Sequence, residues 1–146
     1  MKRTFGLLVL GCMVWATPSL ADQGRGAAVL CYVWANNASP AVNTPYQPDP
    51  VYSFNAQNRA GGNSVTKTGT GAYTVTCTGV GGGGPWGADG HVQVSSYGNL
   101  NTFCHVENWS TGTPDFTARV LCFGHGGGGG GGPAPQDSQF DLLFIW

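Results

Sequence analysis

The sequence predicts an all-β protein, a single antiparallel β-sandwich or jelly roll of about eight short strands with Gly/Pro-rich loops. Three observations predict it. No stretch carries a 3.6-residue apolar stripe long enough for a helix. Short apolar segments of period two recur in its place. Clusters of Gly, Pro, Asn and Ser punctuate them at the spacing of sandwich turns.

In chain order, Ala28–Trp34 (AVLCYVW) reads as a buried strand. Asn36–Pro50 carries Pro40, Pro45, Pro48 and Pro50 and is expected to be an extended loop, because proline fixes φ and removes a ladder donor. Val51–Asn55 is a short strand, followed by the turn-rich Gln57–Asn63. Ser64–Thr68 and Tyr73–Thr78 flank Gly69-Thr70-Gly71 as a hairpin. In the second of these, Tyr73, Val75 and Cys77 share one face and Thr74, Thr76 and Thr78 the other. Val80–Gly90 is a Gly-rich loop around Pro85 and Trp86. His91–Tyr97 alternates, with Val92 and Val94 on one side and His91, Gln93 and Ser95 on the other. Thr102–Trp109, Phe116–Phe123 and Gln139–Trp146 complete the set, separated by Ser110–Asp115 and the glycine-rich Gly124–Pro135. Phe140–Trp146 is almost wholly apolar, which predicts a strand covered on both faces.

The start of the chain reads as an export address. Lys2 and Arg3 form a positive n-region, Phe5–Ala16 an apolar h-region, and Ser19-Leu20-Ala21 a cleavage site before Asp22. Residues 1–21 are thus expected to be a signal peptide and 22–146 a single β-sandwich domain, secreted or held at the cell surface. Leu8-Val9-Leu10-Gly11-Cys12 also fits a lipoprotein box, and acylation of Cys12 is the alternative. No second apolar segment reaches spanning length, so no transmembrane segment is expected in the mature chain.

Cysteine arithmetic follows from the address. Cys31, Cys77, Cys104 and Cys122 remain in the mature part, and four cysteines in an oxidising compartment allow three pairings. Cys104 and Cys122 sit on successive strands, which favours joining them and leaves Cys31 for Cys77. No C-x-x-C or H-x-x-x-H spacing suggests a metal site. Charged residues make up 9% of the chain, and the mature part holds only Arg25, Arg59, Lys67 and Arg119 as bases, which gives no footprint for nucleic acid.

Cys31-Tyr32-Val33-Trp34-Ala35-Asn36-Asn37 resembles the Y-V-W-A-N opening of a bacterial exported domain with no assigned activity. The similarity continues through Ser64–Val75 (SVTKTGTGAYTV), Val92–Gly98 (VQVSSYG), Cys104-His105-Val106, Val120–Phe123 (VLCF) and Asp137–Phe140 (DSQF). It covers Leu30–Trp146. Such domains occur in secreted proteins of myxobacteria and actinobacteria. The resemblance implies an extracellular β-sandwich module and brings no catalytic residues. Cys31 and Cys77 stand where that pattern has an ordinary apolar residue, a further reason to pair them.

Candidate chemistry is sparse. The acids Asp22, Asp49, Asp89, Glu107, Asp115, Asp137 and Asp141 are scattered, mostly beside turn formers, and no two are placed as a glycosidase pair. His91, His105 and His125 lack metal-ligand spacing, and no G-x-S-x-G elbow or phosphate-binding loop occurs, so no catalytic residue and no cofactor is expected. Tyr32, Trp34, Phe54, Tyr73, Phe103, Phe123, Phe140 and Phe144 lie within strands and are assigned mostly to the core. Trp86, in its Gly-Pro-Trp-Gly loop, is the leading ligand-binding candidate, with Tyr46 and Trp109 as helpers, because exposed Trp and Tyr make flat surfaces for a sugar ring or a partner side chain. The expected function is a secreted, non-enzymatic module with a binding or structural role, its partner a glycan or an envelope component. Carbohydrate binding through loop aromatics is the alternative, and a small secreted hydrolase the third reading.

Overall fold

A computed structural model describes residues 29–58, 62–81, 90–98, 101–112, 114–125 and 132–145. The signal segment, Cys12 and Trp86 lie outside the described residues. Among the described residues there are ten strands and no helix: β1 (Val29–Ala35), β2 (Pro45–Tyr46), β3 (Phe54–Asn55), β4 (Asn63–Gly69), β5 (Ala72–Cys77), β6 (His91–Tyr97), β7 (Thr102–Ser110), β8 (Phe116–Gly124), β9 (Ala134–Pro135) and β10 (Gln139–Ile145). They form two antiparallel sheets, one ordered β3-β1-β10-β6 and the other β2-β4-β5-β8-β7, with β9 paired to β8. The expected all-β class holds. The two strands beyond the expected eight are the two-residue β2 and β9, which fall in segments read as loops, and Val51–Asn55 contracts to Phe54–Asn55.

The core lies between the sheets, and alternation selects it. Cys31, Val33 and Ala35 of β1 and Phe140, Leu142 and Phe144 of β10 face Val65, Tyr73, Val75, Cys77, Phe116, Ala118, Val120 and Cys122 of the larger sheet, all buried. Phe116 stacks on Phe144 with ring centroids 4.1 Å apart, and Tyr73 meets Phe140 at 5.2 Å. Each such aromatic pair adds about 0.5–1.5 kcal/mol beyond its burial. Tyr32, Trp34 and Phe54, assigned to the core from sequence, are instead half-buried on the outer face of the smaller sheet. They occupy the other half of the alternation. For the same reason β10 is covered on one face only: Asp141, Leu143 and Ile145 look outward and are half-buried. Phe103 and Phe123 are likewise half-buried, stacked on each other at 5.6 Å between β7 and β8.

Two disulfides fasten this arrangement. Cys31–Cys77 joins β1 of one sheet to β5 of the other, and Cys104–Cys122 joins adjacent strands of the larger sheet. Both pairings match the sequence expectation.

Two polar clusters close the ends of the sandwich. At one end the Asp137 carboxylate accepts the Gly71 N–H at 2.8 Å and pairs with the Lys67 ammonium. The Tyr73 hydroxyl beside it accepts the Ser138 N–H at 3.1 Å. Gly71 has φ of +64°, and a Cβ there would meet the Cys122 carbonyl, so only glycine fits. At the other end Asn63 Nδ2 donates to the Tyr32 and Phe54 carbonyls, at 3.1 and 3.0 Å, tying β4 to β1 and β3. Asn55 Oδ1 accepts the Gln57 and Asn58 N–H groups and shapes the turn after β3.

Burial alone would raise the Asp137 pKa, but the Gly71 N–H and the Lys67 ammonium outweigh it and hold the carboxyl below the usual aspartate value. A carboxyl depressed in the folded state stabilises it above the unfolded pKa, and that stability is lost as pH falls through the folded value. Acid unfolding is therefore expected to steepen below about pH 4. Asp137→Asn should flatten that acid limb and cost about 1–3 kcal/mol at neutral pH, read from denaturant midpoints. In the same assay, removing Cys31–Cys77 should cost about 4 kcal/mol and removing Cys104–Cys122 about 3 kcal/mol, from loop-closure entropy. The order of the two losses is the stricter check.

Candidate functional site

The outer face of the smaller sheet carries an open trough of about 710 Å³, lined by Tyr32, Trp34, Val51, Tyr52, Ser53, Phe54, Tyr97 and Asp141. That volume falls among sites that accept drug-sized ligands. Register assembles it. Tyr32 lies opposite Phe54 on one side and Leu143 on the other, Trp34 opposite Asp141, and Asp141 opposite Ser95 of β6. Tyr97 closes the far side, opposite Gln139. Because Cys31 and Val33 point into the core, Tyr32 and Trp34 must point out.

The rings form one connected group. Trp34 meets Tyr52 edge-on, with centroids 4.8 Å apart and planes at 67°. On its other side Trp34 runs nearly parallel to Tyr97, at 6.1 Å and 18°. Tyr52 is borne by the 47–53 loop, where Asp49 holds a turn: its Oδ1 accepts the Val51 N–H at 2.8 Å and its carbonyl accepts the Tyr52 N–H at 3.1 Å. Val51 and Tyr52 are 78% and 57% exposed, so this wall of the trough stands in solvent. Ser53 anchors the loop to the sheet by accepting the Trp34 N–H at 3.1 Å.

Asp141 is the one charged group in the lining. The Tyr32 hydroxyl donates to its Oδ1 at 3.0 Å. Burial, then that bond and the carboxylate charge, push the Tyr32 pKa above its usual value. Burial and the charge of Asp141 push Tyr97 up to about 12. The site thus offers aromatic faces, an acceptor carboxylate and serine and tyrosine hydroxyls, a combination suited to a ligand with apolar faces and polar edges.

Of the residues expected from sequence to bind a ligand, Tyr46 and Trp109 do not line the trough. Tyr46, on β2, packs against the core with its hydroxyl buried. Trp109, on β7, is 48% exposed beyond a bulge in the β7–β8 pairing. β2 and β7 are opposite edges of the larger sheet, roughly 19 Å apart at ordinary strand spacing. Trp86 lies outside the described residues. The scattered acids do not converge on a metal either: among the described residues no group of three His, Cys, Asp or Glu side chains is placed to hold one. No helix among those residues is long and apolar enough to cross a membrane. The trough as a set is not legible in the sequence, and the one local signal for it is the inward cysteine of Cys31-Tyr32-Val33-Trp34, whose alternation turns Tyr32 and Trp34 outward.

Tyr97 supplies a check on this geometry. Its hydroxyl is buried without a hydrogen-bond partner among the described residues. Tyr97→Phe should therefore leave stability at neutral pH unchanged or raise it by up to about 1 kcal/mol. A phenol raised in the folded state lets the unfolded chain ionise first, so stability is lost as pH climbs from about 10 to about 12. The variant should weaken that alkaline loss and remove one late-ionising tyrosine from an ultraviolet titration. A loss above about 1 kcal/mol at neutral pH would mean that the hydroxyl is bonded after all.

Comparison with known proteins finds no match to this chain, whether among family models, curated proteins or solved structures.

Proposed function

We propose that this chain is a secreted, non-enzymatic β-sandwich module that binds carbohydrate on the outer face of its smaller sheet. The single observation that carries the reading is the trough itself, in which Trp34, Tyr52 and Tyr97 present a connected aromatic surface around Asp141. A pyranose ring has an apolar face of C–H groups and an equatorial rim of hydroxyls. The first stacks on indole and phenol rings, and the second hydrogen-bonds to a carboxylate and to hydroxyls.

Export is supported by the leader-like start of the chain and by two disulfides, which persist in oxidising compartments. Cleavage after Ala21 releases the module, and acylation at Cys12 would hold it at the cell surface instead. The resemblance to exported bacterial domains points the same way. A binding role also fits a trough built on sheet residues, whose backbone is fixed before any ligand arrives.

Retention on insoluble polysaccharides and bacterial cell walls tests the reading. The parent protein should be retained, and Trp34→Ala and Tyr97→Ala should each weaken retention at least about tenfold, equivalent to ~1.4 kcal/mol. Failure of the parent to bind any glycan, or undiminished retention of Trp34→Ala, would remove the trough from consideration.

A further inference from the structure

We propose that the trough selects amino-sugar polymers in their protonated, de-N-acetylated form, seating the ammonium group on Asp141 among the Trp34 and Tyr97 rings. The inference rests on the carbohydrate reading and adds the charge of the ligand. Asp141 is a carboxylate in an aromatic setting, and its hydrogen-bond donor from the chain is the neutral Tyr32 hydroxyl. The lysine and arginine side chains among the described residues are Lys67 and Arg119, paired elsewhere with Asp137 and Glu107, and none of the described His91, His105 and His125 forms an ion pair with Asp141. Asp141 is thus a counter-ion whose cation the described chain does not supply.

The aromatic rings sharpen that demand. Indole and phenol faces carry negative potential, so they attract a cation and add to the field of the carboxylate. An ammonium that donates to Asp141 while lying against Trp34 gains a charge-assisted hydrogen bond, about twice as strong as a neutral one, together with a cation–π contact. N-acetylation removes the charge and adds bulk. A uronic acid would bring a second negative charge to the same place. A lone ammonium or methylated amine would need a closed cage, whereas this trough is open and, at about 710 Å³, takes a chain segment.

Binding of soluble trimers of glucosamine, N-acetylglucosamine and glucose to the full oxidised chain decides the matter. It is followed by calorimetry at a pH where the amine is protonated and the carboxylate ionised. The glucosamine trimer should bind about tenfold more tightly than the other two. Asp141→Asn should abolish that preference, bringing the glucosamine trimer to the affinity that the glucose trimer has for the same variant. Raising salt from ~0.01 to ~1 M should weaken the glucosamine trimer alone. Should Asp141→Asn not fold, the salt series on the parent answers the same question. Equal affinity for all three trimers, with binding lost in Trp34→Ala, would overturn the amine preference and leave carbohydrate binding standing. No binding of any trimer would overturn both.

Discussion

The bond between Cys31 and Cys77 joins the two sheets and, in doing so, fixes which face of β1 looks inward. Side chains on a strand alternate strictly, so a slip of one residue would exchange its two faces. β1 is unusually exposed to that error because both of its faces are apolar: Cys31, Val33 and Ala35 on one, Tyr32 and Trp34 on the other. Hydrophobic burial alone would accept either set, and the aromatic set is larger. A covalent link from Cys31 to the opposite sheet removes the alternative. With β1 fixed, the register to β10 places Asp141 beside Trp34 and Leu143 beside Tyr32, and the trough follows.

The polar clusters at the ends of the sandwich act in the same sense. Asn63 reaches from β4 to the carbonyls of Tyr32 and Phe54 and so holds the short β3 against β1. It shares that task with the Trp34 N–H bond to Ser53 and the Ala56 N–H bond to the Leu30 carbonyl on either side of the two-residue β3. Asp137 does the corresponding work at the other end, where it gathers Lys67, Gly71 and Tyr73 just before β10 begins. A buried polar group is costly when left unpaired and directional when paired, so these side chains specify one arrangement rather than add bulk stability. Asn63 acts on the trough directly, since the carbonyls it binds belong to Tyr32 and Phe54.

The strands and both disulfides could be read along the chain because they depend on local pattern and on cysteine parity. The faces were harder. In AVLCYVW the polar–apolar contrast that marks inside from outside is absent, so Tyr32 and Trp34 looked like core. Gln139–Trp146 presents the same difficulty, and Asp141 is its sole charged residue. β2 and β9, at two residues each, are too short to show any period. The trough was not readable because its parts lie far apart in the chain: Trp34, Tyr97 and Asp141 meet only through the order β1-β10-β6. A Trp isolated in a loop is conspicuous as a binding residue, whereas an aromatic residue in a strand has the ordinary explanation of burial.

That difference between sheet and loop also divides the labour within the trough. Tyr32, Trp34 and Tyr97 are mounted on hydrogen-bonded strands, and their backbones lose no freedom when a ligand stacks on them. Tyr52 stands on a loop, more than half exposed, held by the Asp49 turn and by the bond between Ser53 and Trp34. A fixed floor supplies affinity at small entropic cost, whereas a wall on a loop is the part that can be re-aimed without disturbing the core. Changes along Asp49–Ser53 would thus alter which ligands fit, while changes at Trp34 would alter whether any fit. The wall is tied to the floor through the bond between Ser53 and Trp34, so reduction of Cys31–Cys77 should act on binding through the register of β1.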